Sequence, residues 1–145
     1  MYANILLPTD GSDGARRGVD AGLRLAEEHD ATVHALFVVD ERHVTREYDH
    51  VVEDAERRAE AALDDVGGAA AERGLSVEKH VRWGVPHAEI VAAIDAYDAD
   101  LVVMATHGRT GLDRLVNLGS TTERVVRAAP VQVLTVPVER GSDVA

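Results

Sequence analysis

The sequence predicts an α/β fold, one doubly wound open sheet of five parallel strands with helices on both faces. Three observations carry this expectation. Short apolar runs alternate with longer amphipathic ones, strand then helix four times, before a closing strand. Two of the runs, residues 33–39 and 101–105, are too continuously apolar for a sheet with one wet face, and suit parallel strands covered on both sides. Glycine and proline punctuate the junctions, as in Pro8 to Ser12, Gly84-Val-Pro86 and Pro130. At 145 residues the chain reads as a single domain, 1–145, able to bury about 70% of the surface its unfolded form exposes. Right-handed crossovers follow from parallel pairing.

Tyr2 to Leu7 is the first strand, and Pro8-Thr-Asp-Gly-Ser12 breaks it. Asp10 therefore stands beyond a strand's C-terminal end, where open α/β sheets place ligand contacts; it caps the next helix, meets a ribose hydroxyl, or helps hold a metal ion on phosphates. From Asp13 to Glu28, Ala15, Val19, Leu23, Leu25 and Ala26 form an apolar stripe against arginines and glutamates. Thr32 to Val39 is the second strand, followed by a charged connection over residues 40–47. A long helix spans about Tyr48 to Arg73, with Gly74 at its C-cap and Gly67-Gly68 marking a place for a kink. Ser76 to Arg82 alternates, Val77 and Val81 on one face, which suits a strand nearer the sheet edge. Pro86 is placed to start a helix whose body, His87 to Tyr97, buries Ile90, Val91, Ala93 and Ile94.

The last unit, Asp100 to Pro137, holds the chemistry. Leu101 to Ala105 is a buried strand, a glycine-bearing loop follows, and Ser120-x-x-Glu123 spells a capping box that starts a helix at Thr121. Pro130 ends that helix, and Val131, Val133, Leu134 and Val136 make the closing strand. Backbone N–H groups at Gly108, Gly111 and Gly119, with the amides of the helix behind Ser120, form a concave anion site suited to phosphate; the competing reading makes these glycines turn and hinge residues only. The loop is not a Walker A loop, since no lysine is present in it, and Gly11-x-x-Gly14 falls short of the dinucleotide fingerprint.

Composition narrows the field. With 26 acidic against 15 basic residues the formal net charge is −11, so nucleic acid is a poor partner. No apolar run approaches about 18 residues and no basic segment with a cleavage site opens the chain; a cytoplasmic protein without a membrane span is expected. The absence of cysteine excludes disulfides and thiolate chemistry. Lys79 is the one lysine, and the acidic, alanine-rich, aromatic-poor balance fits either a protein adapted to high salt or an ordinary acidic one from a GC-rich genome.

Ala105-Thr-His-Gly108-Arg-Thr-Gly111 and Gly119-Ser120 resemble the loop of the universal stress proteins, whose nucleotide-binding members read Gly, two residues, Gly, nine residues, Gly-Ser/Thr. Ile5-Leu-Leu-Pro-Thr-Asp-Gly-Ser12, Gly84-Val-Pro86 and Pro130-Val-x-Val-Leu extend the likeness over nearly the whole chain. Two departures are present: Ala105 replaces the first glycine, and ten residues separate Gly108 from Gly119. The resemblance implies strand order 3-2-1-4-5, so that the loops after Leu7 and Ala105 converge on one crevice. It implies an adenine nucleotide, ATP, with magnesium or manganese bridging its phosphates. Pro8, Thr9 and Asp10 would lie near ribose and phosphates, and the backbone of Val38 at the adenine edge. Ala105, Thr106, His107, Gly108, Arg109, Thr110 and Gly111 would wrap the phosphates, with Gly119, Ser120, Thr121 and Thr122 completing the cradle. It also implies a homodimer through the final strand, Val131 to Val138.

His107 either fixes loop geometry or contacts phosphate, and Arg109 is a phosphate counter-charge or a solvent-facing arginine. Ser120 lacks a nucleophile elbow and a histidine partner, so no catalytic residue is assigned. The histidines lack zinc-protease spacing; His43, His50, His80 and His87 fall on connections or different elements and are read as solvated. Three functions stand: an ATP-binding, dimeric stress-response regulator; the same fold without nucleotide, acting as an interaction dimer; and a weak ATP hydrolase for which Asp10 and His107 are the nearest candidate groups.

Overall fold

The computed structural model describes residues 1–42, 49–106 and 119–137. The elements run β1 (Asn4–Pro8), α1 (Asp13–His29), β2 (Thr32–Asp40), α2 (Asp49–Ala71), β3 (Val77–Gly84), α3 (Pro86–Ala96), β4 (Leu101–Ala105), α4 (Ser120–Ala128) and β5 (Gln132–Val136). All four strand pairings are parallel and the sheet order is β3-β2-β1-β4-β5, as the resemblance implies. Parallel neighbours cannot be joined by a tight turn, so each connection carries a helix across one face.

Strand alternation sorts the core into two layers. Odd residues Ile5, Leu7, Val33, Ala35, Leu101 and Val103 meet Val19, Leu23, Leu63 and Val66 of α1 and α2. Even residues Leu6, Leu36, Val102 and Met104 meet Ile90, Ile94 and Val125 of α3 and α4. Ile5, Leu6 and Leu7 are 0% exposed, which is why the central strand is apolar without alternation. The start of β1 is fixed to β4 by Asp100, whose carboxylate accepts from the amides of Ala3 at 2.8 Å and Asn4 at 3.1 Å.

Three helices end through a residue in the left-handed region. After α2, Gly74 (φ 73°) allows the Gly74 amide to reach Ala71 O and the Leu75 amide to reach Ala70 O, a Schellman closure. Asp98 (φ 53°) closes α3 in the same way, and Asp30 (φ 54°) ends α1. Gly67-Gly68 does not interrupt the helix: α2 runs through both without a break, its buried alanines and Val66 holding one face against the sheet.

The two sheet edges differ. On β3, Lys79 pairs with Asp64 at 2.9 Å and Arg82 with Glu89 at 2.8 Å, placing ion pairs on either side of the exposed Val81. On β5, Leu134 is 41% exposed.

α1 lies close enough to β4 that a Cβ on Gly18 would stand 2.7 Å from Ala105 N, while one on Gly68 would meet nothing within 4 Å. Gly18→Ala is therefore expected to destabilise the fold by about 1–3 kcal/mol through overpacking. Gly68→Ala, exposed in mid-helix, should stabilise it by about 0.5–1 kcal/mol. Urea unfolding of the two variants checks both signs.

Candidate functional site

β1 and β4 are neighbours, yet α1 leaves β1 toward one face and α4 follows β4 toward the other. The chain therefore parts at their C-terminal ends and opens a crevice there. One wall is the turn after β1. Thr9 N donates to Leu36 O at 2.9 Å, Thr9 Oγ1 accepts from Gly11 N at 3.1 Å, and Gly11 has φ 82°. The exposed Asp10 does not cap α1. Its Oδ1 accepts from Ser12 N at 2.9 Å, and Ser12 is the N-cap, its Oγ accepting from Ala15 N at 3.1 Å. The reason is reach: with the helix starting at Asp13, only Ser12 stands three residues before Ala15.

The second wall is β4 with α4. Thr106 N donates to Val136 O at 3.0 Å, and Thr106 O accepts from Gly119 N at 2.6 Å. The Thr122 hydroxyl, buried, donates to Ala105 O at 3.0 Å. These bonds place the start of α4 directly over the end of β4. They also correct the expected capping box: Ser120 is the first helical residue, and Gly119, extended at φ −62° and ψ 157°, is the N-cap, with no side chain to offer. Glu123 N donates to Gly119 O at 2.9 Å instead of to a serine hydroxyl, and the Glu123 carboxylate pairs with Arg127 at 3.2 Å. The first-turn amides of Ser120, Thr121 and Thr122 have no carbonyl within the helix to bond, and they carry the positive end of its dipole. Beside them Thr106 Oγ1 is buried with no hydrogen-bond partner among the described residues. His107, Gly108, Arg109, Thr110 and Gly111 lie outside the described residues, as does the remainder of the loop through residue 118.

Val38 completes the rim. The last β1–β2 pair is Pro8 with Leu36, so β2 continues beyond the end of β1. Leu36 O faces β1 through its bond to Thr9, and the residue two along faces the same way; the N–H and C=O of Val38 thus point into the space beyond β1. The structure brings together Pro8, Thr9, Asp10, Ala105, Thr106, Gly119, Ser120, Thr121 and Thr122 at the strand ends, with Val38 at the side.

The reading of the histidines as solvated is overturned on the face of β2 and β3 that packs against α3. His34 on β2 is 5% exposed, and its Nδ1 stands 3.1 Å from Nε2 of His80 on β3. His80 stacks on Tyr97 with ring centroids 3.7 Å apart. Burial, then the neighbouring His34, holds the His80 imidazole below the ordinary histidine range, with Arg82 acting the same way and Glu78 against it. His43 lies outside the described residues. The available signal was parity: once β2 and β3 are neighbours in register, His34 falls opposite Glu78, and His80 lies on the same face two residues on.

The family model described as the universal stress protein family matches residues 1–137. Among curated relatives, universal stress protein MJ0531 of Methanocaldococcus jannaschii is 36% identical over 141 residues, covering 94% of this chain and 82% of that protein. Universal stress protein UspA from Lactobacillus plantarum superposes with TM-score 0.79 at 30% identity, covering 93% of this chain and 97% of its own. A universal stress protein solved in complex with cAMP does so with TM-score 0.77 at 25% identity, covering 95% and 99%.

Thr122→Val keeps the shape of the side chain but leaves Ala105 O without its buried donor. It is expected to cost about 1–3 kcal/mol in urea unfolding. Faster amide exchange should be confined to the first turn of α4, measured by hydrogen exchange.

Proposed function

The chain belongs to the universal stress protein family, and on that premise we propose that it binds an adenine nucleotide, ATP, in the crevice between the ends of β1 and β4, as a regulatory ligand. The observation that carries the reading is the buried Thr106 hydroxyl, without a hydrogen-bond partner among the described residues, near the N-terminus of α4, which has no side-chain cap. A buried hydroxyl left without a partner is costly, and a phosphate oxygen satisfies it while accepting from the adjacent amides. The cAMP complex of a structural neighbour supports the nucleotide class. In this reading the N–H and C=O of Val38 meet the adenine edge, Thr9 and Asp10 meet the ribose and phosphates, and the first turn of α4 donates to the phosphates.

Charge adds a requirement. The chain carries a net charge of −11, so a polyanionic ligand approaches against the long-range field and is held by local donors. Magnesium or manganese bridging phosphate oxygens would relieve that repulsion, with Asp10 as the nearby carboxylate. Purified protein, denatured and chromatographed, is expected to release adenine nucleotide. The stripped chain should rebind ATP in isothermal titration with magnesium or manganese. Absence of binding up to millimolar ATP would leave the interaction reading in its place.

We further propose that the chain dimerises through β5. This strand is a sheet edge, and Leu134 stands 41% exposed on it with Val126 of α4 43% exposed. Two copies related by a two-fold axis can pair their β5 edges while covering these side chains. Because Leu134 is exposed in the single chain, Leu134→Asp should leave the melting of the subunit nearly unchanged and yield monomers in sedimentation velocity. An unchanged sedimentation coefficient would contradict this interface.

A further inference from the structure

We propose that His34, Glu78 and His80 form a binding site for a divalent transition-metal ion, on the face of β2 and β3 that packs against α3 and apart from the residues assigned to the nucleotide crevice. Each residue offers one ligand atom, and the three atoms lie within 4.8 Å of one another. His34 Nδ1 is 3.1 Å from His80 Nε2 and 3.9 Å from Glu78 Oε1. Ligands bonded to tetrahedral zinc at about 2.0–2.1 Å stand about 3.3 Å apart, so the cluster needs little contraction to become a coordination shell.

The surroundings prepare it. Asn4 Oδ1 stands 3.1 Å from His34 Nε2. An amide oxygen only accepts, so Nε2 carries the hydrogen and the lone pair of Nδ1 is turned toward His80 and Glu78. Orientation of a histidine ligand through its other ring nitrogen is the usual outer-shell device of metal sites. The two strands supply the frame: His34 sits opposite Glu78 in the β2–β3 register, and Glu78 and His80 share a face as alternate residues of one strand. Tyr97 stacks on the His80 ring with centroids 3.7 Å apart and so holds the plane of that ring. With His34 Nδ1 accepting, His80 Nε2 carries the hydrogen between the two rings; on ligation that proton moves to His80 Nδ1 or to solvent, which frees the Nε2 lone pair for the ion. Arg82, the cation on the same face of β3, is engaged by Glu89 at 2.8 Å, and the adjoining Lys79 by Asp64 at 2.9 Å, so both oppose a bound ion less.

The donor set selects the ligand. Two imidazoles and one carboxylate suit zinc, cobalt or nickel, with a water in the fourth position, and do not suit magnesium or calcium, which take oxygen. Glu78, with a side chain 62% exposed, gives the ion a route in from solvent.

The test uses the full chain, stripped with chelator and exchanged into chelator-free buffer, titrated separately with zinc and with cobalt(II). Expected are one ion per chain in calorimetry and the intense visible absorption of four-coordinate cobalt. His80→Gln and Glu78→Gln, both on the edge strand and checked for fold by circular dichroism, should each lower zinc affinity at least 100-fold. Asn4→Ala should lower it about 10- to 100-fold and shift the cobalt spectrum, whereas Asn4→Asp, which keeps an acceptor at that place, should retain both. The proposal is overturned if the stripped chain binds neither ion, or if binding survives unchanged in folded His80→Gln and Glu78→Gln, which would put the ions on other groups.

Discussion

The whole arrangement depends on three residues that meet no water. Ile5, Leu6 and Leu7 of β1 are buried on both faces of a strand hydrogen-bonded on both sides, to β2, which follows it closely, and to β4, which comes almost a hundred residues later. A strand so placed can tolerate only apolar side chains, and both of its faces must be roofed by helices. α1 and α2 roof one side, α3 and α4 the other. The crevice is a by-product of that division, because neighbouring strands whose helices depart to opposite faces leave a gap between their ends. Topology thus sets where a ligand can sit before any residue in the gap is chosen.

Much of this was legible in the sequence. Strands that are buried on both faces announce themselves by unbroken apolar runs such as residues 101–105, and α1 and α2 show their buried stripes at helical spacing. The helix starts are less legible, for a physical reason. Ser120-x-x-Glu123 is a good capping box by local chemistry, but the start of α4 is decided by bonds to residues distant in the chain, from Gly119 N to Thr106 O and from the Thr122 hydroxyl to Ala105 O. Those bonds draw the first turn one residue earlier than the local pattern favours. At α1 the choice between Asp10 and Ser12 was local, and the serine adjoining the helix has the shorter reach.

The histidine pair was not legible at all from spacing along the chain. His34 and His80 belong to separate strands, and nothing in either segment says that the strands adjoin. Only the sheet order turns an isolated buried histidine and an alternating polar face into one cluster. Sites made within a loop, like the run from Ala105 to Gly119, leave a mark in the sequence; sites made between neighbouring strands leave theirs in the register.

The unequal edges of the sheet bear on how far assembly can go. One edge presents the apolar Leu134; the other carries ion pairs at Lys79 and Arg82 on either side of the exposed Val81. Pairing at the first would produce a continuous ten-stranded sheet whose two outer margins are both β3 strands bearing those ion pairs. Their charges would oppose a further copy at either margin, so that assembly would favour a single addition over a growing fibre.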